Sequence, residues 1–218
     1  MHLLAVSLAR VTVFTDVYEW SPQNRISFRE FVQAFVERYG FVKFPQTIEE
    51  FDLLKGVVFQ LGMLGNQSID SVTMFTKGVV IDTRSSTDDG ERFIVDASEW
   101  AEQLFGTEHS PDRTRRKSFL SELSFYSDTV FDLWSQRLKR LTDRLGEVVS
   151  HHAGEPQTFY PYGFLFGADP PTRLGTLGLR IERLQGNPFW ENKYFSSAPI
   201  PTNEHLSFLA DFESILQA

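Results

Sequence analysis

The sequence predicts a single α+β domain over residues 1–218, with a mostly antiparallel sheet of about seven strands and about five helices. Three observations lead to this prediction. Strand-like segments follow one another through short, turn-like links, helical segments alternate with them in mixed order, and no linker or internal repeat divides the chain. A length of 218 residues with 41% hydrophobic content provides enough apolar surface for one sizeable core.

The first two elements are predicted to be a strand and a helix. Residues 3–18 are rich in Val, Leu, Thr and Phe and alternate between two faces, which is typical of a strand. Ser27 is followed three residues later by Glu30, which is the spacing of a capping box. This pattern predicts a helix that continues to about Tyr39 and ends at Gly40.

A short helix and three strands are predicted next. Thr47 and Glu50 repeat the capping-box spacing and predict a helix that reaches about Leu54. The three strand-like runs that follow are joined by turn-like links, which favours an antiparallel meander. These runs are residues 56–64, 69–75 and 78–83.

The middle of the chain is predicted to hold two helices and a strand. Asp88 and Glu91 form a capping box for a helix that ends near Phe105, and residues 118–128 have the composition of a strand. The longest helix is predicted near residues 128–150. Its apolar stripe extends over fewer than four heptads, so we expect it to pack on a sheet rather than in a coiled coil. The stripe comprises Phe131, Trp134, Leu138, Leu141, Leu145 and Val148.

The last part of the chain is predicted to contain two strands, an extended aromatic segment and a helix. The strand candidates are residues 158–166 and 174–184, and the extended segment covers residues 189–195. Thr202 is the expected cap of the final helix. The buried stripe expected on that helix is Leu206, Leu209, Phe212, Ile215 and Leu216.

Composition narrows the classes of function. With 29 acidic and 21 basic side chains the formal net charge is −8, which argues against non-specific binding of nucleic acid. The absence of cysteine excludes disulfides, thiolate catalysis and cysteine-bound zinc, and it fits a reducing compartment. No apolar run approaches the roughly 20 residues of a membrane-spanning helix. We therefore expect a cytoplasmic protein without membrane contact.

One basic cluster departs from the acidic average. It comprises Arg113, Arg115, Arg116 and Lys117. Such a cluster is usually a solvated loop, but it is also a candidate surface for an acidic partner or a phosphate backbone. Binding of nucleic acid is expected only through these four residues.

An enzymatic alternative depends on Glu191 and Lys193. In an extended segment both side chains point to one face, where a carboxylate holds a divalent cation and an ammonium stabilises phosphate charge. This pair resembles that of restriction-endonuclease-type nucleases, and Asp169 and Glu182 would complete a metal-dependent nuclease or phosphoesterase. Since turn residues precede the pair, we favour a solvated ion pair over this site.

Other candidate sites receive simpler explanations. Asp143, Glu147 and His151 lie on one face of the predicted long helix, but they lack the spacing of a zinc motif, and histidines near a helix end interact favourably with its dipole. His205 is expected to be structural rather than a general base. We therefore predict neither a metal site nor a cofactor.

The sequence favours a non-enzymatic interaction protein: a subunit, adaptor or inhibitor that acts on a macromolecular partner. No catalytic constellation stands out, aromatic residues make up 14% of the chain, and the acidic balance suits a basic partner. The expected contact residues are the rigid aromatics of the extended segment. They are Phe189, Trp190, Tyr194 and Phe195.

Overall fold

A computed structural model describes residues 1–15, 27–106, 116–129, 136–167 and 178–217. The strands in these ranges are β1 (His2–Phe14), β2 (Val57–Leu64), β3 (Gln67–Phe75), β4 (Gly78–Thr83), β5 (Lys117–Tyr126), β6 (Gly163–Phe166), β7 (Leu179–Arg183) and β8 (Lys193–Ala198). The helices are α1 (Phe28–Tyr39), α2 (Thr87–Phe105), α3 (Gln136–Ala153) and α4 (Thr202–Gln217).

The eight strands form one antiparallel sheet in the order β2-β3-β4-β1-β5-β8-β7-β6. The predicted α+β class is therefore confirmed, with eight strands and four α-helices within the described ranges instead of about seven and five. Within the same ranges, no helix is both long enough and apolar enough to cross a membrane.

The chain divides into two compact units. Unit 1 comprises Met1–Ala5, Glu122–Ala198 and Glu204–Ala218, and unit 2 comprises Val6–Ser121 and Pro199–Asn203. The boundary falls within strands β1 and β5. The single domain over residues 1–218 stays a prediction.

In unit 2, α1 begins and ends where the sequence predicts. Ser27 Oγ accepts a hydrogen bond from the Glu30 N–H, and the Glu30 carboxylate accepts one from the Ser27 N–H, at 3.2 and 3.3 Å. Gly40 ends the helix in the left-handed region at φ 64°, which glycine adopts without steric cost. Local capping chemistry thus fixes both ends of α1.

The core of unit 2 lies between α1, α2 and one face of the meander. The ring of Phe35 is central to it, since it packs edge-on against Phe59 with 4.9 Å between centroids and stacks on Phe41 at 5.2 Å. Much of the aromatic content of the chain therefore stabilises its own interior. The strand residues buried in this core are Val11, Val13, Val57, Phe59, Ile69, Val72, Met74, Val79 and Ile81.

Two predictions about helices in unit 2 are wrong. The segment from Thr47 to Leu54 forms turns rather than a helix. Near its end the Asp52 carboxylate accepts a hydrogen bond from the Leu54 N–H at 3.0 Å, a turn contact that competes with helical bonding. Helix α2 is capped by Ser86 Oγ, which accepts from the Asp89 N–H at 3.3 Å. The helix consequently begins before the capping box predicted at Asp88.

In unit 1, α3 does not bury its apolar stripe against a sheet, and that expectation is wrong for the described residues. Leu141 is 65% exposed, and Leu145 and Val148 are also exposed, while Phe131 and Trp134 lie outside the described residues. The opposite helix face packs on the segment that follows. There the Gln157 N–H donates to Ser150 Oγ at 2.7 Å, and a Cβ on Gly146 would lie 2.8 Å from the Gln157 carbonyl oxygen. With this face of α3 in contact, Leu141 and Leu145 lie on the solvent-exposed face.

Helix α4 buries Leu209 and Phe212 as predicted, but Ile215 is exposed. The rings of β6 complete this side of unit 1, since Phe164 packs edge-on against Phe212 at 5.5 Å and Phe166 contacts both Phe208 and Phe212. Strand β6 is shorter than the predicted 158–166, since it begins at Gly163. Strand β7 (Leu179–Arg183) lies within the predicted 174–184, of which residues 174–177 lie outside the described ranges.

Candidate functional site

The predicted extended aromatic segment consists of a short 3-10 turn, Phe189–Glu191, followed by β8. Trp190 lies on this turn with 81% of its surface exposed, which is unusual for the largest apolar side chain. Asn192 ends the turn in the left-handed region at φ 49°, where asparagine is among the most tolerated residues. The turn thus presents Trp190 to solvent.

The side chain of Arg183 in β7 holds this turn through contacts with Phe189 and Asn192. The side chain is buried, and its Nη1 donates to the Phe189 carbonyl oxygen at 2.7 Å and contacts Asn192 Oδ1 at 3.4 Å. The guanidinium carbon also lies 4.9 Å from the ring centre of Phe189 and 4.7 Å from that of Tyr194. A desolvated cation near two aromatic rings is attracted to both, so Arg183 holds the backbone beside Trp190 in this position.

The ring of Phe189 is fixed by a second contact. It stacks on Tyr160 with 4.9 Å between the ring centres and 30° between the ring planes. Tyr160 is itself exposed. We call Tyr160, Phe189 and Trp190 the Trp190 patch.

Strand alternation separates the other two predicted anchors, Tyr194 and Phe195. Tyr194 is 1% exposed and stacks on Phe125 at 5.6 Å, so it belongs to the core of unit 1, and its prediction as a contact residue needs correction. Phe195 points to the opposite face of the strand, where the guanidinium of Arg180 lies 5.1 Å from its ring centre. Of the four predicted residues, Phe189 and Trp190 share one surface.

The polar residues of the enzymatic alternative are engaged in ion pairs. Lys193 Nζ lies 2.6 Å from Glu191 Oε2, and Glu182 Oε1 lies 3.9 Å from the guanidinium of Arg180. Within the described part of the chain, no three His, Asp or Glu side chains are grouped so that they could hold a metal ion. Asp169 lies outside the described residues, and the nuclease alternative stays an untested prediction.

The basic cluster is described only at its end. Lys117 Nζ is paired with Glu91 Oε1 at 2.5 Å, and the guanidinium of Arg116 lies 6.0 Å from the ring centre of Phe14. Arg113 and Arg115 lie outside the described residues. Binding of an acidic partner or of nucleic acid through this cluster stays a prediction.

The acidic residues of α3 pair within the helix. Asp143 is paired with Lys139 at 2.9 Å and Glu147 with Arg144 at 3.0 Å, and His151 lies in the last turn. These short-range pairs account for the two carboxylates without a bound metal.

A buried serine and histidine meet in unit 1, a contact that the sequence does not signal. Ser196 Oγ and His205 Nε2 are 2.8 Å apart, and Ser196 Oγ also donates to the Arg180 carbonyl oxygen at 2.8 Å. Because a hydroxyl has one proton, His205 Nε2 must be the donor in the first bond. Both side chains are fully buried. The structural role that we expect for His205 stays a prediction.

A second polar group in unit 1 surrounds Glu213. Its Oε1 accepts from Ser127 Oγ at 2.5 Å and from the Asp128 N–H at 3.0 Å, and its Oε2 accepts from the ammonium of Met1. Burial opposes ionisation, but the hydrogen bonds from Met1 and Ser127 outweigh it and lower the pKa of Glu213. Both oxygens of this carboxylate are therefore engaged by groups of unit 1.

No protein-family model matches this chain, and no curated protein is significantly similar to it in sequence. The choice of functional site therefore depends on geometry and chemistry alone. On those grounds the Trp190 patch is the strongest candidate among the described residues.

Proposed function

We propose that the chain is a non-enzymatic interaction protein, a subunit, adaptor or inhibitor, that binds a macromolecular partner through the Trp190 patch. The observation that carries the proposal is the 81% exposure of Trp190 on a turn held by Arg183. Covering a large ring removes much apolar area from water, and tryptophan is strongly enriched among the residues that dominate binding energy at interfaces.

The rigidity of the turn supports the same function. Ordering a flexible side chain on binding costs about 0.5–1.5 kcal/mol. Here the carbonyl oxygen of Phe189 already accepts a hydrogen bond from Arg183, and the ring of Phe189 is stacked on Tyr160. A partner therefore meets a surface that is largely organised before contact.

The charges indicate the kind of partner. The ion pair of Glu191 and Lys193 adjoins Trp190 in the sequence and supplies a polar rim, as is common around apolar interface centres. The formal net charge of −8 favours approach by a basic surface. We propose a partner whose contact surface has an apolar centre and basic surroundings, and the cytoplasm remains our predicted compartment.

The proposal is tested by capture from a native lysate with three tagged baits: wild type, Trp190→Ala and Leu54→Ala. Leu54 is an exposed apolar residue of unit 2 and provides the matched control. Bound proteins are quantified by mass spectrometry, and circular dichroism verifies that all three chains fold.

We expect a partner that wild type and Leu54→Ala retain equally and that Trp190→Ala retains at least about tenfold less, since truncating a central anchor costs about 2 kcal/mol or more. Equal capture by all three chains contradicts the proposal. Failure of wild type to capture any protein above an untagged control also counts against it.

A further inference from the structure

We propose that two copies of this chain associate by pairing their β6 strands edge to edge. Strand β6 is last in the sheet order, and among the described residues its only strand partner is β7. At the other end of the order, Gln60 of β2 exchanges backbone hydrogen bonds with Lys43. The chain thus covers part of its β2 edge with its own backbone, whereas no described strand covers β6.

The polar backbone groups of Gly163 and Leu165 point away from β7. The Arg183 N–H donates to the Tyr162 carbonyl oxygen at 2.9 Å, so this pair is hydrogen-bonded across the ladder. Bonded and non-bonded pairs alternate along antiparallel strands. Every second residue from Tyr162 therefore bonds to β7, and Gly163 and Leu165 direct their N–H and C=O groups to the open edge.

The chemistry of this edge suits a second copy. Charged side chains are one of the devices by which natural edge strands prevent pairing, and residues 156–167 contain none. Leu165 is 78% exposed. Although chains with a net charge of −8 repel each other, these uncharged segments can meet without placing like charges opposite one another.

The order of residues in β6 provides a self-complementary register. If Phe164 lies on a two-fold axis, Leu165 of one copy faces Gly163 of the partner subunit. Both residues direct their backbone groups outward, so they exchange hydrogen bonds, and symmetry repeats the pair. A Cβ on Gly163 would collide with the Ile181 carbonyl oxygen and with Glu182 of β7, so glycine permits the close approach of β6 to β7. The exposed Leu165 then covers the partner strand.

The contact is small, so the dimer is expected to be weak. A strand of 4 residues buries less than a standard interface of about 1,600 Å². Sedimentation equilibrium from about 1 µM to about 500 µM covers the affinities expected of such a contact. We expect the average mass of the wild-type chain to rise with concentration from the monomer toward twice the monomer.

Leu165→Lys is the decisive variant, because it places two ammonium groups near the two-fold axis while the exposed site tolerates lysine in the monomer. We expect its dissociation constant to rise at least about tenfold. Ile48→Lys, at an exposed site of unit 2, is the matched control and should dimerise like wild type. Trp190→Ala should also dimerise, which separates this proposal from the proposed function.

Hydrogen exchange of the wild-type chain gives a second readout that needs no variant. The amides of Gly163 and Leu165 should exchange more slowly at high than at low protein concentration. A wild-type chain that stays monomeric over the whole range overturns the proposal. So does a folded Leu165→Lys chain that associates like wild type, or exchange at these amides that is independent of concentration.

Discussion

Thr87 and Thr202 bind each other through both of their backbone N–H groups. The N–H of Thr87 donates to Thr202 Oγ1 at 3.1 Å, and the N–H of Thr202 donates to Thr87 Oγ1 at 2.9 Å. Both residues are buried, and each is the first residue of a helix. Each hydroxyl therefore satisfies a first-turn N–H that has no acceptor within its own helix.

Replacing either threonine by valine should destabilise unit 2. Thr87→Val keeps the shape of the side chain but leaves the buried N–H of Thr202 without its acceptor, which should cost about 1–2 kcal/mol. Thr202→Val removes the reciprocal bond with a similar cost. Urea denaturation measures both. Thr87→Ser keeps the hydroxyl and serves as the control, and a Thr87→Val chain as stable as this control contradicts the account.

Local signals were sufficient for several elements. The capping box of Ser27 and Glu30 and the glycine at position 40 lie within or next to α1, so their chemistry can be recognised without the fold. The sequence predicts the meander for the same reason, because its turns are short. Strand β4 (Gly78–Thr83) has the predicted bounds.

Contacts between distant segments could not be predicted. Thr87 and Thr202 are separated by 115 positions, and no periodicity connects them. The burial of Tyr194 depends on which face of β8 meets the core, and a strand with aromatic residues on both faces does not reveal this. The sequence predicts Trp190 as a contact residue, but the contacts of Arg183 that hold its turn can be recognised only in the fold.

Leu61 lies in β2 with φ 58°, a left-handed conformation that is costly for a bulky residue. Asparagine tolerates this conformation, as the chain itself shows at Asn192. Leu61 is exposed, so Leu61→Asn loses little burial and should raise the free energy of unfolding by up to about 1 kcal/mol. Met63→Asn, at an exposed site of the same strand, is the control and should not stabilise. A destabilised Leu61→Asn chain in thermal unfolding argues against strain at this residue.

The stability of the protein should fall on acidification partly through Glu213. Because its pKa in the folded state is lowered, its contribution is fully present above the unfolded pKa of about 4.3 and is lost as pH falls through the folded pKa. Glu213→Gln should cost about 1–3 kcal/mol at pH 7 and reduce the dependence on pH below about 4.5. Urea denaturation from pH 7 to pH 3 measures both effects.

Glu49→Gln provides the control for this prediction, because Glu49 is exposed and its replacement removes the same charge. Its stability should follow that of wild type at each pH. If Glu213→Gln retains the full acid dependence of wild type, the lowered pKa of Glu213 is not a cause of acid sensitivity.

Replacing Arg183 by methionine should destabilise unit 1 and loosen the turn under Trp190. The change removes the hydrogen bond to Phe189 and the cation near the rings of Phe189 and Tyr194, with an expected cost of about 2–3 kcal/mol. The Asn192 amide, which donates to the Phe189 carbonyl oxygen, should then exchange faster with solvent. Arg180→Met also removes a cation from an aromatic ring, but at an exposed site, and should cost less than about 1 kcal/mol. Equal effects of the two changes would show that Arg183 does not hold the turn.

The most direct test of the Trp190 patch follows the tryptophan itself in the complex with a captured partner. The chain has four tryptophans, so labelling with 5-fluorotryptophan gives four ¹⁹F signals. The signal of Trp190 is the one that is missing from the spectrum of Trp190→Phe. In the free chain this signal should shift strongly between H₂O and D₂O, because the ring is exposed. At saturating partner we expect the position of the signal to change and its solvent shift to disappear. A Trp190 signal that keeps its position and its full solvent shift in the complex contradicts the central claim.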